Sequence, residues 1–217
     1  MLAPLPWEGH LTTGFSMRRA WKLVLLAAVV ATSGCTDIKR WAYARGDRSS
    51  WQQSERVIDS LAIAPGERVA DLGSGGGYFT FHLARAVGHT GRVFAVDVDE
   101  GMNEALRVDV EERNASNVEV VQAAYDDSRL APASVSLVFT SNTYHHIEDR
   151  VTYFERIAAA LTEDGRIAII DYKPEGFFQR HSAPPEAIRS EMESAGYALE
   201  TEFDYLERQS FQVFERR

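Results

Sequence analysis

The stretch VADLGSGGGYF, residues 69–79, constrains the fold of this chain more than any other. An apolar run that contains the acid Asp71 passes into a turn with glycines at positions 73, 75, 76 and 77, and an amphipathic segment follows. Glycines let a turn adopt conformations closed to other residues, and they let a ligand approach the main chain closely. A strand, a glycine-rich turn and a helix in this order predict a cofactor site.

Strand and helix patterns alternate along the rest of the chain. The predicted strands are Arg68–Leu72, Arg92–Asp97, Val118–Gln122, Val135–Thr140 and Arg166–Asp171. Continuous apolar strands between amphipathic helices indicate a parallel sheet covered on both faces. A last helix between Pro184-Pro185 and Gly196 precedes a predicted hairpin, Ala198–Tyr205 with Ser210–Glu215. The predicted fold is an α/β three-layer sandwich whose mostly parallel, seven-stranded sheet ends in an antiparallel hairpin.

A dinucleotide-binding turn is the main alternative for the glycine stretch. Its fingerprint, G-x-G-x-x-G, needs a glycine at position 78, where this chain has Tyr78. Asp97, at the end of the second predicted strand, would hold ribose hydroxyls in either kind of site and does not separate them. Tyr78 and the hairpin therefore disfavour a nicotinamide oxidoreductase.

The motif Asp71-x-Gly73-x-Gly75-Gly76-Gly77 resembles motif I of class I, Rossmann-like methyltransferases that use S-adenosylmethionine. Residues 93–97 and 117–122 are similar to the second and third strands of that family. The segment Ser141–Ile147 resembles the one after the fourth strand in ubiquinone/menaquinone-type and related small-molecule members. The resemblance runs from about Trp51 to the C-terminus. It implies S-adenosylmethionine as the cofactor and a small molecule as the methyl acceptor.

The resemblance also implies which residues bind the cofactor. The backbone from Gly73 to Gly75 lines the methionine portion with Asp71 near its amino group, Asp97 holds the ribose, and Val98 packs beside the adenine. The full set of expected cofactor residues is Asp71, Gly73, Ser74, Gly75, Gly77, Asp97, Val98, Tyr125, Asp126 and Ser141.

Two positions depart from the family pattern. Ala123-Ala124 stands where the family often has a glycine and an acid after the third strand, which leaves adenine recognition to Tyr125 or Asp126. Ser136 replaces an acid at the start of the fourth strand.

His145 and His146 are the candidate catalytic residues, because they follow the fourth strand and an imidazole suits a general base near neutral pH. We expect no metal at this pair, because adjacent histidines on an extended segment point to opposite sides. Further candidates for the acceptor pocket are Asp171–Lys173 and Phe177, Phe178, Arg180 and His181.

Composition excludes several other functions. The formal net charge of −9 disfavours a nucleic-acid substrate, because such a surface repels phosphate backbones. The single cysteine, Cys35, excludes an intramolecular disulfide and cysteine-ligated zinc. It also cannot supply the chemistry of arsenite methyltransferases, which work through several cysteines. The sequence gives no indication of the oligomeric state.

An export-type segment precedes the domain. Arg18, Arg19 and Lys22 lead into an apolar run, Leu23–Ala31, which small residues and Cys35 follow. This is the layout of a signal peptide, and its end resembles a bacterial lipoprotein cleavage site, although Thr32 replaces the usual leucine. The run is far shorter than the ~20 residues that span a bilayer.

The predicted organisation is a leader in residues 1–35, with Met17 as an alternative start, a linker or cap in 36–50, and a methyltransferase domain in 51–217. We expect a protein held at the cell envelope, facing the periplasm, through a lipidated Cys35 or an uncleaved N-terminus, with the cytoplasm as the alternative location. Because an exported leader is unusual beside a cofactor made in the cytoplasm, a non-catalytic, cofactor-binding or scaffold lipoprotein is the alternative function.

Overall fold

The strand that enters the glycine-rich stretch, β1 (Arg68–Leu72), lies inside a seven-stranded sheet. The computed structural model describes residues 51–174 and 181–217. The other strands are β2 (Arg92–Asp97), β3 (Val118–Gln122), β4 (Val135–Ser141), β5 (Leu161–Tyr172), β6 (Tyr197–Phe203) and β7 (Gln209–Arg216). The sheet order is β3-β2-β1-β4-β5-β7-β6, with β1 to β5 parallel and β7 antiparallel to both of its neighbours.

Helices cover both faces of the sheet. They are α1 (Ser54–Ser60), α2 (Tyr78–Val87), α3 (Glu100–Glu112), α4 (Arg150–Ile157) and α5 (Pro185–Ser194), and a 3₁₀ turn spans Tyr144–His146. Successive strand residues point to opposite faces, so Val69 packs in the core under α1, α2 and α3, and Ala70 packs in the core under α4 and α5. The predicted three-layer α/β sandwich is confirmed.

The strand predictions hold closely except in β5. This strand begins at Leu161, because Leu161 pairs with Val135 before a register shift brings Arg166 opposite Leu137. The intervening residues, TEDG, are polar and contain a glycine, so their pattern predicts a turn rather than a strand.

Residues 1–50 carry the predicted leader and linker, and they lie outside the described residues. The chain divides into two units, residues 1–41 and 42–217, and all described residues belong to the second. Within the described ranges, no helix is long and apolar enough to cross a membrane.

Candidate functional site

The carboxyl ends of β1, β2, β4 and β5 share one edge of the sheet, because these strands are parallel and adjacent. In open α/β sheets, ligands bind at this edge. The sequence-predicted site residues from Asp71 to Gly77, from Asp97 to Val98 and from Ser141 to His146 lie at these strand ends or directly after them. The structure therefore brings the catalytic candidates and all the cofactor candidates except Tyr125 and Asp126 to one edge.

The glycines of the turn after β1 have different tasks. Gly73, Gly75 and Gly77 all have positive φ, at 75°, 50° and 77°, which disfavours any other residue. A Cβ on Gly73 would lie 2.1 Å from Thr143 Oγ1, and one on Gly77 would lie 2.4 Å from a Leu106 methyl group. Packing against neighbouring segments thus requires these two glycines.

Gly75 differs from them because the space beside it is open. A Cβ there would meet nothing nearer than the Met102 Cε, at 3.9 Å. This glycine is the point where a ligand could come against the main chain, as the sequence predicts.

Asp97 ties the glycine turn to the end of β2. Its Oδ2 accepts a hydrogen bond from the Gly75 amide at 2.7 Å, and its Oδ1 accepts one from the Asp99 amide at 2.9 Å. A carboxylate has about four acceptor positions, so about two remain for further donors such as a pair of hydroxyls. The expected ribose role fits this geometry.

Asp71 lies beneath the turn and is 3% exposed. Thr80 Oγ1 donates to its Oδ2 at 2.5 Å. Burial raises the pKa of the Asp71 carboxyl to about 7, the Thr80 hydrogen bond opposes this rise, and the charge of Asp97 adds to it. A cationic ligand group nearby would favour the ionised carboxylate.

The amino end of α2 also faces this edge. Its N-cap is Gly77, no side chain caps the helix, and its first turn contains no acid. Such a terminus attracts an anionic group. The Ser74 and Ser141 hydroxyls are buried and have no hydrogen-bond partner within the protein.

Two of the residues expected near the adenine are exposed. Val98, just after β2, is 37% exposed, and Tyr125, beyond β3, is 85% exposed. Asp126 instead pairs with Arg156 of α4, at 3.3 Å. Of Tyr125 and Asp126, Tyr125 is therefore the better candidate for contact with a base.

The departure at Ser136 lies away from this edge. Its hydroxyl donates to Glu67 Oε2 at 2.7 Å, near the amino ends of β1 and β4. The missing acid at this position therefore leaves the cofactor edge unchanged.

His145 is held by the buried carboxylate of Asp171, at the end of β5. Asp171 Oδ2 accepts the His145 backbone N–H at 2.9 Å, and Asp171 Oδ1 lies 2.7 Å from His145 Nδ1. The turn beneath is fixed by Tyr144, which is fully buried and donates through its hydroxyl to Glu191 at 2.6 Å. Asp171 was predicted only as a pocket candidate, and its partnership with His145 was not predicted.

The prediction that His145 and His146 point to opposite sides is wrong. Residues 144–146 form a 3₁₀ turn instead of an extended segment, because Asn142 turns the chain after β4 with a positive φ of 56°. The two rings consequently lie side by side, with centroids 4.0 Å apart, and the His181 ring lies 6.1 Å from each. Partial burial, together with His145 and His181, lowers the pKa of His146, and Asp171 opposes this effect.

Of the other candidates for the acceptor pocket, two have contacts in the structure and three lie outside the described residues. Tyr172 stacks on Trp51 with 6.0 Å between ring centroids, so the segment before α1 packs against the end of β5. Lys173 donates to the Leu206 carbonyl at 3.1 Å. Phe177, Phe178 and Arg180 lie outside the described residues.

Two surface cavities lie elsewhere. One, of about 170 Å³, is lined by Ser128, Leu130 and Tyr153, and the other, of about 370 Å³, surrounds Arg92 and Asn117 at the amino ends of the strands. Neither touches the glycine turn, His145, His146 or His181, so the strand-end site remains the candidate.

Comparison with known proteins finds similarity to methyltransferases in both the family model and the curated relatives. Residues 69–165 match the family model described as "Methyltransferase domain". The chain is 34% identical over 110 residues to an arsenite methyltransferase of Halobacterium salinarum, covering 51% of this chain and 28% of that protein. It is 33% identical over 113 residues to the aklanonic acid methyltransferase DauC of a Streptomyces species, covering 52% and 51%. The chain thus spans about half or less of these relatives.

A solved structure matches over more of the chain. A SAM-dependent methyltransferase from Aquifex aeolicus superposes with a TM-score of 0.75 at 23% identity, covering 82% of this chain and 97% of that one. This likeness concerns the fold. Residues 69–165 therefore resemble a methyltransferase domain, the sheet has the fold of the class I, Rossmann-like methyltransferases, and the two together imply S-adenosylmethionine as the cofactor.

Proposed function

We propose that this protein transfers a methyl group from S-adenosylmethionine to a small-molecule acceptor at the shared edge of β1, β2, β4 and β5. The glycine turn, Asp71 and Asp97 hold the cofactor, and His145 and His146 serve the acceptor. S-adenosylmethionine supplies an electrophilic methyl group on a sulfonium with a good leaving group. The protein's main task is therefore alignment, and deprotonation is needed only where the acceptor atom carries a proton.

The contact between the two halves of the site carries this proposal. Thr143, one residue before the 3₁₀ turn, packs against Gly73, and its hydroxyl lies 3.4 Å from the Gly73 carbonyl oxygen. The turn that bears the histidines is thereby fixed against the turn that bears the cofactor residues. Such a contact provides the fixed geometry between acceptor and donor that methyl transfer requires.

Two observations support a small acceptor. The chain has a net charge of −9, which disfavours a nucleic acid. The curated relatives are named for arsenite and aklanonic acid, neither of which is a polymer.

Calorimetric titration of the full-length protein tests the cofactor half. S-adenosylhomocysteine should bind, and NAD should not. Gly75→Ala should weaken binding at least tenfold, because its Cβ enters the open space where the ligand approaches. Gly88→Ala is the matched control, since Gly88 also has a positive φ, 66°, and a Cβ there meets nothing within 4 Å. Equal binding by both variants would remove the glycine turn from the proposal.

Methyl transfer itself distinguishes an enzyme from a scaffold. The protein is incubated with methyl-labelled S-adenosylmethionine and a panel of phenols, thiols and amines, and label in the product is measured. Binding without transfer to any acceptor, including those in a small-molecule extract, would favour the non-catalytic alternative.

We also propose that the protein is held at the cell envelope through Cys35. The support is the order of positive charges, apolar run, small residues and cysteine in residues 17–35. No part of a methyltransferase domain requires this order.

A further inference from the structure

Three histidines meet at the carboxyl ends of β4 and β5. His145 and His146 come from the 3₁₀ turn, and His181 comes from the segment before α5. One ring nitrogen of each lies within 4.8 Å of the others, and within the described ranges no other three ligand-type side chains meet this spacing. Imidazoles from two separate segments thus converge on one point.

We propose that His145, His146 and His181 bind a divalent transition-metal ion, for which Zn²⁺ is the reference, and that the methyl acceptor's oxygen, nitrogen or sulfur takes a further coordination position. Three protein nitrogens with one open position are the coordination of catalytic zinc sites. The second clause rests on the proposed function, whereas metal binding does not.

Asp171 supplies the outer partner that a metal-binding histidine needs. Its carboxylate lies 2.7 Å from His145 Nδ1, so a proton on Nδ1 donates to Asp171 and the lone pair of Nε2 stays free for the metal. Asp171 is fully buried and also accepts the His145 backbone N–H, so ring and main chain are fixed together. The orientation of the His145 ring is therefore fixed before a metal binds.

The remaining movement is small. Tetrahedral zinc with Zn–N bonds of about 2.0–2.1 Å separates its nitrogens by about 3.3 Å, so nitrogens now within 4.8 Å must close by about 1.5 Å at most. His146 and His181 are exposed, and side-chain rotation can supply this closure.

A metal also gives the three histidines a joint role. A general base requires only one imidazole. If neighbouring imidazoles were protonated, their positive charges would repel one another, so general-base catalysis gives no reason for three histidines to meet. A metal-bound hydroxyl, thiol or water has a lowered pKa and releases its proton to solvent near neutral pH. The same side chains would then promote deprotonation of the acceptor through the bound cation.

The test is a metal titration of full-length protein purified without a polyhistidine tag and freed of metal with a chelator. Zn²⁺ is followed by calorimetry and Co²⁺ by its visible absorption, which reports coordination geometry. We expect one ion per chain and a tetrahedral or five-coordinate Co²⁺ spectrum. His146→Ala and His181→Ala should each weaken binding at least tenfold, and His89→Ala, at an exposed histidine elsewhere, should leave it unchanged.

S-adenosylhomocysteine binding, measured on the same samples, separates this inference from the proposed function. Loss of metal binding with retained S-adenosylhomocysteine binding shows that a variant is folded and supports the site. Wild-type protein that binds S-adenosylhomocysteine but no metal, or His181→Ala that binds metal as wild type does, would overturn the metal site alone. Absence of S-adenosylhomocysteine binding would instead contradict the proposed function, whatever the result of the metal titration.

Discussion

Asp171 binds His145 twice, through the His145 backbone N–H at 2.9 Å and through Nδ1 at 2.7 Å. The two residues lie 26 positions apart in the chain and meet because β4 and β5 are parallel neighbours, with Ser141 opposite Ile170. A buried carboxylate in this position fixes the tautomer and the orientation of the ring. The free nitrogen of His145 is therefore held in one direction, whether it acts on a proton or on a metal.

Asp171→Asn should lower turnover by about tenfold to a hundredfold and leave S-adenosylhomocysteine affinity unchanged. The amide has one acceptor oxygen, yet donors from His145 and from the Tyr172 backbone N–H, at 2.7 Å, converge on both carboxylate oxygens. If the amide nitrogen faces Nδ1, the imidazole must carry its proton on Nε2 and can no longer accept one there. Steady-state kinetics with any acceptor found, together with calorimetry, measures both quantities.

The matched control for this variant is Glu119→Gln, which makes the same chemical change in an exposed pair with Arg92 at 3.7 Å. Exposed ion pairs contribute little, so turnover should not change. If Asp171→Asn also retains full turnover, the pair is structural and His145 loses its proposed role.

Asp97→Ala should weaken S-adenosylhomocysteine binding by about 1.5–3 kcal/mol, the usual contribution of hydrogen bonds to a charged group. The variant removes the acceptor expected for the ribose and also frees the Gly75 amide. Calorimetry gives the affinity, and thermal unfolding without ligand checks that the turn stays folded. Adenine should lose less affinity than S-adenosylhomocysteine does, and an equal loss for both would argue against a ribose contact.

The sequence predicts the strands and the glycine turn that carry the cofactor candidates well, because local signals determine them. Strand β1 is apolar, the turn is rich in glycine and α2 is amphipathic, so the bounds of β1 and β2 follow from periodicity. Asp71 and Asp97 lie at the ends of β1 and β2, and the sequence pattern alone locates these strand ends. Gly73 and Gly77 were expected at the ligand, whereas packing against Thr143 and Leu106 explains why they must be glycine.

The histidine half is predicted less completely, because it depends on contacts distant in sequence. A parallel β4–β5 pair would have indicated that Asp171 lies near residues 142–145, since strand ends share an edge. The 3₁₀ turn follows Asn142, whose backbone has a left-handed conformation. Asparagine tolerates this conformation, but the presence of an asparagine does not by itself predict it. No local pattern marks the approach of His181.

Cys35→Ala should shift the protein from the membrane fraction to a soluble fraction and leave S-adenosylhomocysteine binding intact. One acyl chain holds a protein only marginally, at about 0.8 kcal/mol per buried methylene, so stable anchoring requires the several chains of a lipoprotein cysteine. Fractionation of cells that express both forms measures this. Full-length wild-type protein in the cytosol would contradict the export proposal, and an alanine form that stays membrane-bound would indicate an uncleaved anchor.

Asp71→Asn should flatten the pH dependence of stability between about pH 4 and pH 7. The ordinary pKa of 3.8 is raised to about 7 in the folded protein, chiefly by burial. An unfolded chain therefore loses this proton at a lower pH than the folded one does. The resulting stabilisation is fully present below pH 3.8 and is lost as pH rises through about 7. Asparagine keeps an acceptor for Thr80 and carries no titrating proton.

Urea unfolding at pH 5 and pH 8 measures this effect as a difference between wild type and Asp71→Asn, in which the other titrating groups cancel. The wild type should lose on the order of 3 kcal/mol more than the variant over this interval. Asp109→Asn, a variant on α3 outside the site, serves as the control and should follow the wild-type curve. Parallel curves for wild type and Asp71→Asn would show that Asp71 is ionised throughout, and its carboxylate would then be ready for a ligand's ammonium group without any change of protonation.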